Sequence, residues 1–168
     1  MRQEPDRERV VRAHIAAEAG GDWAAARATF HHPRYEIVAT GEVHDGPAAV
    51  TAFYDETARA FPDLAFTVPV LRHSRDAVIV ETVLRATHLG SWRGLPATGR
   101  RVEYPMMNLF GFDEGRLVLE RMYFDLLTPL RHIGVARDPT SRLGRIATAL
   151  NHPLTVGSAF ARALLGAR

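Results

Sequence analysis

The chain has 168 residues, 46% apolar and 24% charged, a globular composition that excludes a mostly disordered chain and suits one domain with a small appendage. Cysteine and lysine are absent, so disulfides, thiolate metal sites, Schiff-base lysines and Walker-type phosphate lysines are excluded. The net charge of +2 is uneven: residues 136–168 hold five arginines against Asp138, the remainder is two charges negative, and no clustered basic motif of a nucleic-acid reader appears.

Residues 4–19 read as a helix, with Val10, Val11, His14, Ile15 and Glu18 at helical spacing and Gly20-Gly21 as its stop. Asp22 is an N-cap for a short helix from Trp23 to about Phe30. His31-His32-Pro33-Arg34 breaks the pattern, residues 35–39 read as a strand and Thr40-Gly41 as a turn. Pro47 opens a third helix whose apolar face carries Val50, Phe53, Tyr54 and Phe61, ended by Pro62. From residue 64 the period becomes that of strands, over 64–71, 77–88, 101–112 and 117–126, with Asp113-Glu114-Gly115 as a tight hairpin. Helices first and a meander of long antiparallel strands afterwards predict an α+β fold, with the helices on one face of a curved sheet. Beyond Asp138-Pro139-Thr140-Ser141, two amphipathic helices are expected, about 143–150 and 154–165, docked on the body or on a second subunit; an anionic surface is the other reading for this basic segment. No run of about 20 apolar residues is present, so no membrane span is expected, and the charged opening residues lack a secretory core, which makes cytoplasmic the default.

The strand-loop-strand from Thr87 to Glu103, with Gly94-Leu95-Pro96-Ala97-Thr98-Gly99-Arg100 at its turn, resembles that of SnoaL-like polyketide cyclases, in the nuclear transport factor 2-like superfamily. The run Gly115-Arg116-Leu117-Val118 through Asp125-Leu126-Leu127 and the Gly21-Asp22-Trp23 junction resemble the same family, over roughly residues 8–135. The resemblance implies a cone-shaped α+β barrel over 1–135 with a C-terminal helical extension over 136–168, one deep apolar pocket and a homodimer. It also implies a small hydrophobic ligand, polyketide-, steroid- or terpenoid-like, handled as a cyclase or isomerase by cofactor-independent acid/base chemistry. A non-catalytic binding or assembly module on the same fold is the rival, since fold does not decide chemistry. At the family's His position the chain has Asn108 and at its Asp position Met122, neither of which moves a proton at neutral pH.

The remaining polar residues supply the candidates. Asp125 is either the base or the N-cap of the helix after it. Tyr123 is an oxyanion donor or a rim residue, and His88 a proton partner or a structural imidazole at a strand end. Asn108 shares a strand face with Val102, Tyr104, Met106 and Phe110, where a buried amide orients substrate or bonds a neighbour. Strand parity sends either Glu120 or Asp125 to the pocket. Tyr54, Phe53, Phe61, Trp92, Met106, Met107, Met122 and Glu120 are the expected ligand-binding residues. His31, His32 and His44 show no His-x-x-x-His or His-x-x-Glu spacing, so no metal is expected; no dinucleotide signature implies a redox cofactor.

Overall fold

In the computed structural model, which describes residues 3–166, helix α1 (Gln3–Ala19) buries Val11, His14, Ile15 and Glu18 along one stripe. With Arg7, three polar side chains therefore lie on the face that a helix normally reserves for hydrocarbon. Gly21, at φ +71°, reverses the chain, and the Asp22 carboxylate accepts from Ala25 N at 2.9 Å to start α2 (Trp23–Ala28). Strands β1 (Arg34–Ile37) and β2 (Glu42–Asp45) form a hairpin through Gly41. The second of these strands was not expected, because four residues after a turn carry too little periodicity to announce a strand. Helix α3 (Pro47–Ala60) follows, then β3 (Ala65–His73), β4 (Ala77–Thr87), β5 (Arg101–Asp113), β6 (Arg116–Tyr123) and α4 (Leu127–His132).

The six strands lie in the order β2-β1-β6-β5-β4-β3. The four long strands β3 to β6 form the expected antiparallel meander, and β1, paired antiparallel with β2, joins the β6 side of it in parallel. Along β5, Val102, Tyr104, Met106, Asn108, Phe110 and Phe112 are buried while Arg101, Glu103, Pro105 and Met107 face outward. That strict alternation defines the inner wall, against which α1, α2 and α3 pack. Irregularities at Thr67/Val70 and Gly111/Phe112 bend the sheet, as bulges do. Strand β6 ends at Tyr123, three residues before the predicted limit: its ladder with β5 stops at Met107–Tyr123, close to Pro105, whose missing N–H cannot extend it.

Gly90 has a steric task. A Cβ there would meet Arg59 O at 2.1 Å, so glycine lets the loop after β4 rest on the end of α3, where Leu89 N donates to Ala60 O at 2.9 Å. The C-terminal segment folds as α5 (Arg142–Asn151) and α6 (Pro153–Gly166), which pack on each other. Their side chains Leu143, Ile146, Leu150, Leu154, Phe160 and Leu164 remain exposed, so the expected docking on the chain's own body is not formed. No helix among the described residues is long and apolar enough to cross a membrane.

Candidate functional site

The open end of the cone holds an apolar cavity of about 60 Å³, walled by Ile37, Phe53, Phe61, Leu84, Tyr104, Met106, Met122 and Phe124, with Trp92 and Arg93 at its rim. This volume takes a few water-sized positions and falls well short of the roughly 300 Å³ at which drug-sized pockets begin. The chain's own side chains thus fill most of the cup. Its floor is made by Met106 and Met122, thioether side chains that repack easily.

One side-chain layer further in, about 6.6 Å along each strand, hydrocarbon gives way to a buried polar cluster. Asn108 and Glu120 follow Met106 and Met122 on the inward face of β5 and β6, and Tyr35 of β1 is in register with Glu120. His14 and Glu18 enter from α1 and Tyr54 from α3. All six are nearly or wholly inaccessible to solvent.

The hydrogen bonds fix the proton positions. His14 Nδ1 lies 2.8 Å from Thr29 Oγ1 and 3.1 Å from Ala26 O, and the Thr29 hydroxyl donates to that same carbonyl, so Nδ1 carries a proton. Tyr35 donates to Glu18 Oε1 at 2.8 Å; its oxygen, 2.5 Å from the Tyr54 hydroxyl and 2.9 Å from His14 Nε2, accepts from both. His14 Nε2 also lies 3.2 Å from Glu18 Oε1 and 3.1 Å from Glu120 Oε2, and Asn108 Nδ2 donates to Glu120 Oε1 at 3.0 Å. In and beside this cluster Thr82 Oγ1 and Asn108 Oδ1 are buried without a hydrogen-bond partner, and Glu120 Oε2 makes no hydrogen bond beyond its ion-pair contact with His14. They belong to the inward faces of β4, β5 and β6, three neighbouring strands. Native interiors rarely leave such atoms unpaired without a reason.

Burial alone would lower the His14 pKa, but the Glu18 and Glu120 carboxylates outweigh it and push it up to about 10. His14 is therefore an imidazolium held between two carboxyl groups. Burial, reinforced by the neighbouring Glu18 charge, raises Glu120 above the usual carboxylate range, with the His14 contact opposing. Burial likewise keeps Tyr35, Tyr54 and Tyr104 as neutral phenols. Ligand atoms of His14, Glu18 and Glu120 lie within 4.8 Å of one another, a spacing compatible with a metal ion. The same three side chains can also work as an acid/base cluster, with the imidazolium proton supplying the positive charge between the two carboxyls.

Of the expected catalytic residues, the structure brings only Asn108 to this cluster. Asp125 is exposed and accepts from Leu127 N at 3.0 Å and Thr128 Oγ1 at 2.7 Å, which hold its carboxyl below the usual range. It caps the turn into α4 and takes no place on the cavity wall. Asp125→Ala is expected to cost about 1 kcal/mol of stability, the value of a lost cap, and to leave ligand affinity unchanged in a titration. Tyr123 points to the outer face of the sheet, in a shallow hollow with Val83, Pro105 and Met107. His88 is fully buried behind Phe61 and Trp92, its Nδ1 3.2 Å from Thr98 Oγ1, and burial lowers its pKa; it acts as a structural imidazole at the strand end.

Among the expected ligand-binding residues, Phe61, Trp92, Met106 and Met122 do line the cavity, as does Phe53. Tyr54 and Glu120 sit below it in the polar cluster, and Met107 faces outward. Parity is thereby resolved: Glu120, not Asp125, is the inward carboxylate. His14, Glu18 and Tyr35 were missed. The signal was present in α1, where a His and a Glu four residues apart share a stripe with Val11 and Ile15. His32 pairs with Asp45 at the surface and His44 stacks on Phe53, in keeping with turn and strand positions.

The family model described as SnoaL-like polyketide cyclase matches residues 8–133. No curated protein matches the chain. Among solved structures, a candidate SnoaL-like polyketide cyclase from Jannaschia sp. CCS1 superposes with a TM-score of 0.72 at 23% identity, covering 80% of this chain and 95% of that one. AclR of Streptomyces galilaeus, a candidate hydroxylase, gives 0.70 at 20% identity, covering 86% and 95%. IdmH of Streptomyces antibioticus, a candidate polyketide cyclase, gives 0.62 at 26% identity, covering 77% and 99%.

Proposed function

Because the chain belongs to the SnoaL-like polyketide cyclase family, we propose that it is an acid/base catalyst of the cyclase or isomerase kind, acting without a redox cofactor on a small hydrophobic ligand in the cone. The observation that carries this reading is Glu120: a wholly buried carboxyl with a raised pKa, paired with the His14 imidazolium and set directly below the cavity floor. Glu120 is the group that exchanges the proton, Asn108 and Thr82 orient the ligand's oxygen, and His14 is a positioning residue that balances charge as Glu120 ionises. Ligand entry displaces the Met106 and Met122 side chains, which separate the cavity from Glu120. The decisive assay is hydrogen–deuterium exchange at an acidic carbon of a bound ketone, compared between wild type and Glu120→Gln.

A binding-only module is the second reading, and one observation favours it: none of His14, Glu18 or Glu120 touches the cavity as it stands. A ligand that raises the melting temperature yet shows no catalysed exchange decides for that reading. The unit over 1–135 carries the site, and 136–168 is an extension to it. A homodimer belongs to the proposal, through the outer sheet face where Pro105, Met107 and Tyr123 form an apolar hollow. Sedimentation at low micromolar concentration is expected to give twice the chain mass; a monomer would remove this part alone.

A further inference from the structure

Arg93 contributes the one charged side chain among the described residues lining the apolar cavity, and it is held from several directions. Its Nη1 donates to Glu42 Oε1 at 2.5 Å and its Nη2 to the other oxygen of the same carboxylate. Its backbone N donates to Glu56 Oε1 at 2.8 Å, and its guanidinium carbon lies 5.6 Å from the centre of the Trp92 ring. The residue has φ +52°, a conformation that side chains other than glycine adopt only under constraint, followed by Gly94 at +75°. Trp92 and Leu95 exchange two backbone hydrogen bonds around this tip, at 3.0 and 2.8 Å. The guanidinium is thus fixed before any ligand arrives.

What remains free is Nε–H, which is buried without a hydrogen-bond partner. A buried donor left unpaired is costly, so a ligand supplying an acceptor at this place gains more than a ligand of equal size lacking one. Charge narrows the acceptor. Glu42 neutralises the guanidinium in a two-pronged pair, and the Glu56 carboxylate stands on the same loop backbone. The rim therefore presents a hydrogen-bond donor with no surplus positive charge. A carboxylate arriving there would give up its hydration and gain no unbalanced cation, whereas a carbonyl oxygen gives up little.

We propose that Arg93 is the specificity residue of the cavity, reading a neutral carbonyl oxygen at the rim, so that the site selects compact ketones over the matching hydrocarbons and over the matching carboxylates. This rests on the reading of the cone as a small-molecule pocket and is independent of whether catalysis follows.

The test uses the full chain and three probes of similar size: acetophenone, ethylbenzene and benzoate, titrated by ligand-observed NMR. Wild type is expected to bind acetophenone about tenfold more tightly than ethylbenzene, the ratio that one good hydrogen bond supports. Benzoate is expected to bind no better than ethylbenzene. Arg93→Met is expected to reduce the ketone's advantage to about twofold or less. Glu42→Gln keeps the Nε–H donor but frees the cation, so benzoate should gain about tenfold while acetophenone keeps its lead over ethylbenzene; this second variant serves if Arg93→Met does not fold. Equal binding of ketone and hydrocarbon by wild type, or a preference that survives in Arg93→Met, overturns the role of Arg93 and leaves the pocket standing. Binding of none of the three removes the pocket reading, and this inference with it.

Discussion

Replacing His14 by glutamine is expected to destabilise the fold by about 3–5 kcal/mol, the usual consequence of removing one partner from a buried ion pair. The imidazolium lies 3.2 Å from Glu18 and 3.1 Å from Glu120, and among the described residues it is the cation that faces Glu120. Its loss leaves two buried acids facing each other, deprives the Tyr35 oxygen of a donor and leaves Thr29 Oγ1 with one bond fewer. Urea unfolding measures the difference. A double replacement, His14→Leu with Glu120→Leu, should regain much of the loss, because hydrocarbon then meets hydrocarbon and Glu18 keeps its bond from Tyr35.

The same cluster fixes how stability varies with pH. His14 is raised to about 10 in the folded chain, so its contribution is complete below its unfolded value near 6.5 and disappears as pH rises through about 10. Glu120, also raised, acts in the same direction, because the folded state holds its proton to higher pH than the unfolded one does. Surface carboxylates such as Glu36 and Asp63, lowered by Arg121 and by Thr87 respectively, work the other way: they stabilise above their unfolded values, and the effect fades in acid. Stability should therefore be greatest in mildly acidic solution and decline by a few kcal/mol towards pH about 10. In His14→Gln the decline should set in at lower pH, where carboxyls without a cation first ionise. Superimposable stability curves for the two proteins would show that His14 is not charged in the folded state.

The cone and its helix-then-strand order were legible because both rest on periodicity. The 3.6-residue stripe of α1, the strict alternation of β5 and the Glu114-Gly115 turn, at φ +47° and +80°, are local signals that tertiary structure reinforces. The buried polar cluster was not legible, because its members come from α1, β1, α3, β5 and β6, and only the closing of the sheet brings them together. Asp125 shows why a polar residue at a strand end misleads. The strand stops two residues earlier, beside Pro105, and the carboxylate turns to the backbone of the next helix. His14 shows the converse. A histidine on an apolar stripe reads as a tolerated core residue until the strand carrying Glu120 is placed opposite it.

Glu120→Gln is expected to slow catalysed hydrogen–deuterium exchange in bound ketones by about 10²–10⁴, the range attributed to a positioned general base, while ligand affinity changes less than about threefold. Glutamine keeps the volume and still accepts the Asn108 Nδ2 bond at Oε1, so a loss confined to rate reports proton transfer. The pH profile gives an independent reading. A base must be ionised, so the rate should rise with pH through the value of Glu120, raised by burial from its ordinary one, and that limb should vanish in the variant. Geometry adds a condition on the substrate. A ligand held at the rim by one carbonyl presents its far end to the floor, so diketones long enough to displace Met122 should exchange at the carbon next to the second carbonyl, remote from Arg93, and acetophenone, whose one carbonyl stays at the rim, should bind without exchanging. Exchange that persists in Glu120→Gln at the wild-type rate would assign the proton to another group and leave the buried cluster a purely structural one.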